Sequence, residues 1–249
     1  MESMTLDGYL KFVESNIKAK TTYSSRYAKI KNSITSTWYT VKDSSNVVIQ
    51  IQIPSEKAKN VIYTVILEFP MGTVNDTAKR LLTSEMKVFS NCPSFVFMNA
   101  KYFEEKGFLI EWAKSLYDPK VFEETEEMQD SKKEANAQAS VKDVKCEKSL
   151  YFAVMHIRSM TPISILTKLS KARQIKDTAT VLKHIKNSND MLSKRVKNAS
   201  KHPLISKKKT SSNQNNNKNA LTKSVRKVKS TSAVKSTKGT KNVSKIKHI

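Results

Sequence analysis

The sequence predicts an α+β domain, a small antiparallel sheet with flanking helices, followed by basic helices and a disordered polybasic C-terminal tail. Three observations carry this. Residues 47 to 53 and 61 to 69 are β-branched runs, each stopped by a proline, Pro54 and Pro70. Apolar residues at spacings of three and four recur on both sides of these runs, as amphipathic helices require. The net charge of +23 is concentrated toward the C-terminus.

Taken in order, Leu6, Tyr9, Leu10, Val13 and Ile17 predict a first helix, with Thr5 or Asp7 near its cap. Residues 23 to 39 carry two signals: Tyr27, Ile30, Ile34 and Trp38 at helical spacing, and a β-branched cluster from position 34 to 40 that argues for a strand. In residues 47 to 53, Val47, Ile49, Ile51 and Ile53 alternate with more polar neighbours. This run is expected to pair with residues 61 to 69 as an antiparallel hairpin with a longer loop. Residues 86 to 89 and 95 to 98 supply one further strand or two. From 101 to 117 the pattern returns to helical, with Gly107 dividing two short helices.

Residues 123 to 145, acidic first and mixed later, read as a solvated linker. Residues 150 to 157 are helical, and Thr161-Pro162 caps another helix whose buried side is Ile163, Ile165, Leu166 and Leu169. Residues 178 to 197 form an amphipathic basic helix: Val181, Ile185, Leu192 and Val196 line one stripe, while Lys183, Lys186, Lys194 and Lys197 lie elsewhere. The expected organisation is a globular domain over 1–165, a basic helical segment over 166–200 and a tail over 201–249.

The charge follows that division. Residues 1 to 165 carry 22 Lys+Arg against 20 Asp+Glu, and residues 166 to 200 carry nine cations against Asp177 and Asp190. Residues 201 to 249 carry 14 cations and no acid. Such a segment lacks the apolar surface to offset chain entropy, and its charge suits a polyanion. The expected contacts are to phosphates, by Lys194, Arg195, Lys197, Lys207, Lys208, Lys209, Arg226, Lys227 and Lys229. Aromatic residues end at Phe152, so base stacking by the tail is not expected.

The expected partner is nucleic acid, DNA ahead of RNA, and the expected role is non-enzymatic, with no cofactor, no metal site and no catalytic residue. Cys92 and Cys146 are too few for a disulfide framework. The first ten residues lack a basic segment followed by an apolar run, and no stretch is apolar enough to span a membrane, so no membrane partner is expected. Gly-rich phosphate loops, nucleophile elbows and HExxH do not occur. Asp76 with Glu85-Met86-Lys87 has the acid and ExK elements of metal-dependent nucleases, a pattern that recurs by chance in Lys-rich chains. Glu56 and Glu68 offer further carboxylates, Glu68 as a satisfied residue of an edge strand. His156 and Cys92 read as structural, and Trp38 and Trp112 as core anchors. A scaffold role for the body, with an incidental tail, is the other alternative.

The strings Pro54-Ser55-Glu56, residues 63 to 69 (YTVILEF), residues 89 to 97 (FSNCPSFVF) and residues 147 to 151 (EKSLY) together resemble virion or genome-associated proteins of tailed bacteriophages. The resemblance implies a phage structural component made in the cytoplasm of a bacterial host and carried in the virion. It implies contacts to other virion proteins through the folded body, and no catalytic residues to carry over.

Overall fold

The computed structural model describes residues 4–56, 61–122, 129 and 146–201. The chain divides into two units, Met1–Leu204 and Ile205–Ile249. The expected linker, apart from Gln129, and all of the tail after Lys201 lie outside the described residues.

Helix α1 (Leu6–Ser15) starts where Thr5 Oγ1 accepts from the Gly8 amide at 2.9 Å, and it buries Leu6, Tyr9 and Val13. Asn16 then caps α2 (Ile17–Ile30). The two signals of residues 23 to 39 are both realised in turn: helix to Ile30, a 3-10 turn at Lys31–Ser33, then strand β1 (Thr35–Val41). Strands β2 (Asn46–Pro54) and β3 (Ile62–Pro70) form the expected antiparallel hairpin, with Ile49 opposite Leu67. Helix α3 (Val74–Arg80) leads to β4 (Lys87–Ser90), antiparallel to β3.

Residues 95 to 98 are not a second strand there. They belong to helix α4 (Pro93–Met98), because Pro93 at its first turn has the fixed φ that helix entry needs, and the Val96 amide bonds the Cys92 carbonyl at 3.1 Å. Helix α5 (Ala100–Glu105) and a 3-10 helix (Glu111–Leu116) are separated at Gly107, whose φ of 73° a side chain would resist. The remaining elements are α6 (Pro119–Phe122), α7 (Lys148–Arg158), α8 (Pro162–Ser170), β5 (Arg173–Ile175) and α9 (Thr178–Lys201).

The sheet order is β4-β3-β2-β1-β5, antiparallel except for the parallel β1–β5 pair, so the α+β sheet is mixed. Helices intervene between β1 and β5, and that long crossover is what a parallel neighbour requires. The expected boundary at 165 therefore does not separate two bodies: β5 extends the sheet, and Val181 and Ile185 of α9 join its core.

Helices cover both faces. Trp38, Ile49, Leu67 and Val88 lie in register on one face, and on the same face Ser90 Oγ meets Ser149 Oγ of α7 at 2.8 Å. Leu150, Phe152, Ala153 and Ile157 of α7 are buried, as are Ile165 and Leu169 of α8. Ile163 is not part of that buried side, being 76% exposed. One position after Pro162, it falls on the outer side of the first turn.

The opposite face carries Tyr39, Val48 and Glu68, then Gln50, Ile66 and Phe89, then Gln52 and Thr64. Phe89, Phe95 and Phe103 pack in series against it, the latter two stacked at 5.5 Å. Glu68 is not on an edge strand, since β3 lies between β2 and β4. It is satisfied by Asn46 Nδ2 at 2.6 Å and Trp112 Nε1 at 3.3 Å, which lets a carboxylate stand in the sheet interior. Among the described residues, no helix is long and apolar enough to cross a membrane.

Candidate nucleic-acid interface

Helix α9 is the ordered element on which the first expected phosphate contacts fall. It begins at Asp177, whose Oδ1 accepts from the Thr180 amide at 2.7 Å. Those hydrogen bonds hold the Asp177 carboxyl below its usual range, so it is an anion already engaged at a helix start. Val181 and Ile185, both 0% exposed, then dock the helix on the polar face of the sheet. Burial of two such side chains contributes about 3–6 kcal/mol. Further along, Asn189 Oδ1 accepts from Thr64 Oγ1 at 3.1 Å and Gln52 Nε2 at 3.4 Å, and Gln52 Nε2 also donates to Ser188 Oγ at 3.3 Å. Each such bond adds about 1 kcal/mol net, so the apolar pair dominates the docking and the polar tethers fix the helix rotation.

That rotation decides where the cations go. At 100° per residue, positions 183, 186, 190, 194, 197 and 201 fall along one stripe, roughly opposite Val181, Ile185 and Asn189. The stripe is Lys183, Lys186, Asp190, Lys194, Lys197 and Lys201, and it runs about 27 Å at 1.5 Å per residue. Lys183, Lys186 and Asp190 are exposed. By the same count position 195 falls about 40° from that of Val181, on the far side of the helix from this line. Lys207, Lys208, Lys209, Arg226, Lys227 and Lys229 lie outside the described residues.

The structure adds cations that the sequence reading did not single out. Lys168, Lys171, Arg173 and Lys176 are exposed along the end of α8 and the edge strand β5. Ion pairs elsewhere join Lys20 to Glu14, Arg26 and Lys148 to Glu56, Lys101 to Glu105, Lys114 to Glu104 and Glu111, and Arg158 to Asp7. Among the described residues none involves Lys168, Lys171, Arg173, Lys176, Lys183 or Lys186. The signal available in the sequence was the spacing KARQIK over 171 to 176; exposed cations elsewhere in the body, Lys11, Lys18, Lys29 and Lys106 among them, also lack an ion pair among the described residues.

Ser149 Oγ donates to Glu147 Oε2 at 2.7 Å and meets Ser90, which the Cys92 amide bonds at 3.1 Å. All four residues are 0–1% exposed, so this cluster is closed to a substrate. Cys92 is a buried thiol, and His156 is half-buried, its imidazole held below the ordinary 6.5 by desolvation and by Lys168. The Asp76 carboxylate accepts from Thr73 Oγ1 at 2.6 Å on the exposed α3. Among the described residues no group of His, Cys, Asp and Glu could hold a metal ion. No aromatic ring within residues 4–56, 61–120 and 146–192 is exposed. Comparison with known protein families, with curated proteins and with solved structures yields no match.

Proposed function

We propose that the chain is a non-enzymatic nucleic-acid-binding protein, a DNA-associated component of a bacteriophage virion, that holds phosphate backbones through its C-terminal cations without reading sequence. The observation that carries this is the segregation of charge. Residues 201 to 249 hold 14 cations and no acid, and Lys183 and Lys186 of α9 are exposed on the side away from Val181 and Ile185. Every cation brought to a phosphate releases condensed counterions, so affinity comes from number and density of charge. Residues 153 to 249 contain no Phe, Tyr or Trp, which favours backbone contact over base stacking there.

The body, in this reading, positions α9 and supplies the surface for other virion proteins. Gel-shift titration of duplex DNA and RNA with the full chain and with a chain ending at residue 201 tests it. Most of the salt-sensitive affinity is expected to disappear on truncation, and equal binding by the two proteins would end the reading. Presence of the chain among the proteins of purified phage particles tests the virion assignment separately.

A further inference from the structure

The edge of the sheet holds a second set of donors, distinct from the α9 stripe. A notch of about 310 Å³ opens where β1, the β1–β2 turn, the end of β3 and β5 meet, and it is lined by Thr40, Val41, Lys42, Ser45, Met71, Gly72 and Gln174. Backbone bonds build it: the Lys42 amide to the Ile175 carbonyl at 2.9 Å, the Asp43 amide to the Lys176 carbonyl at 3.0 Å, and the Met71 amide to the Ser45 carbonyl at 2.8 Å. Ser45 completes the turn with φ of 51°. The backbone is thereby fixed, while the Thr40 and Ser45 hydroxyls, the Lys42 ammonium and the Gln174 amide bond no other described residue. Four side-chain donors thus surround one concavity with no protein acceptor.

The charges around the notch are Lys171, Arg173 and Lys176 on β5 and its flanks, all exposed, with Arg80 near Gly72. The acids nearby are Asp43, Asp76 and Asp177. Asp76 is bonded by Thr73 and Asp177 by the Thr180 amide, bonds that do not cancel a carboxylate's charge, so the edge sets five cations, Lys42, Arg80, Lys171, Arg173 and Lys176, against three acids.

We propose that this edge seats a phosphodiester of a nucleic-acid backbone. The notch takes the phosphoryl oxyanion among Thr40, Lys42, Ser45 and Gln174, while Lys171, Arg173 and Lys176 neutralise flanking phosphates. The proposal rests on the reading that the chain binds nucleic acid, and adds to it an ordered seat in the body. Hydroxyl, amide and ammonium donors are the groups that bind phosphate oxygens and fix register on a backbone. Val41 and Met71 give the notch an apolar wall, but no exposed ring that would stack a base.

The test uses the full chain in three forms: native, a seat variant (Lys42→Gln, Lys171→Gln, Arg173→Gln, Lys176→Gln) and a control that removes four exposed cations elsewhere (Lys11→Gln, Lys18→Gln, Lys29→Gln, Lys106→Gln). Affinity for a short DNA duplex is measured across a salt series. At about 0.9 per phosphate contact, the seat variant should lower the slope of log K against log salt by about three to four, and the control by less than about one. Equal slopes for the two variants would overturn the seat while leaving tail-driven binding in place. Failure of the native chain to bind DNA at all would remove the nucleic-acid reading and the seat with it.

Amide shifts on adding the duplex give a second readout, and Thr40, Ser45 and Gln174 should move. Inorganic phosphate alone should move the same amides weakly; shifts as large with phosphate as with the duplex would assign the notch to a free anion and overturn the backbone proposal. Vesicles of phosphatidylserine and phosphatidylcholine form the last arm. A seat variant that loses vesicle binding but keeps the native DNA slope would also overturn it.

Discussion

Asn189 Oδ1 accepts from Thr64 Oγ1 at 3.1 Å, pinning α9 to β3 just before the helix reaches Lys194. Because Gln52 bonds the same oxygen, one side chain fixes how the lysine stripe is turned relative to the sheet. Asn189→Ala should lower stability in urea by about 1–2 kcal/mol, since it leaves two partly buried donors without that acceptor. Amide exchange in α9 after Asn189 should accelerate, while that of residues 181 to 185 changes little, because their anchor is apolar. Unaltered exchange throughout the helix would show that the tether does not govern it.

Tyr9 ties the N-terminal helix to the start of α7. Its hydroxyl donates to the Glu147 carbonyl at 3.0 Å and accepts from the Glu147 amide at 3.1 Å, fully buried. The Glu147 carboxylate in turn accepts from the amides of Ser149 and Leu150, although burial raises its pKa above the usual range. Tyr9→Phe keeps the ring and orphans both backbone groups, so it should cost about 2–3 kcal/mol in thermal or urea unfolding. A cost below about 0.5 kcal/mol would mean that the clamp is not formed in solution.

His156 on α7 sets a pH dependence. Desolvation, then the charge of Lys168 on α8, lowers its pKa, and its Nε2 is buried without a hydrogen-bond partner among the described residues. The unfolded chain takes up the proton at the ordinary 6.5 while the folded chain resists it. Stability is therefore full above that value and is lost as pH falls through it toward the depressed folded value. His156→Leu should flatten the dependence of unfolding free energy on pH in that window relative to the native chain. Parallel curves for the two proteins would contradict the assignment.

Glu85 and Lys87 provide a negative prediction. On the non-enzymatic reading proposed above, DNA incubated with the protein and Mg²⁺ should stay intact. Glu85→Ala should leave DNA affinity unchanged in the same gel-shift assay. Cleavage that Glu85→Ala abolishes would replace the present account with a nuclease.

Much of the architecture was legible because its signals are long. Residues 47 to 53 alternate and residues 61 to 69 keep high β-propensity over enough positions to be strands, and Thr5 and Thr161 announce helix starts that the structure realises as caps. Short signals failed. Arg173-Gln174-Ile175 is a strand of three residues with two polar side chains, so it has no periodicity to read, and without it the body seemed to end at 165. The apolar run 95 to 98 fits either period, and Pro93 in the first turn decides for helix. Glu68 looked like an edge residue because its partners, Asn46 and Trp112, are remote in sequence. For the candidate interface, the cation positions could be counted from sequence, but which of them lack an acidic partner is a property of the fold.

The salt dependence of duplex DNA binding by the full chain tests the central claim most directly. If the C-terminal cations neutralise phosphates, the slope of log K against log salt should have a magnitude of about eight or more, with affinity falling about 10⁴-fold or more between about 50 and 200 mM salt. A slope near zero, or no measurable binding at the lower salt, would contradict it.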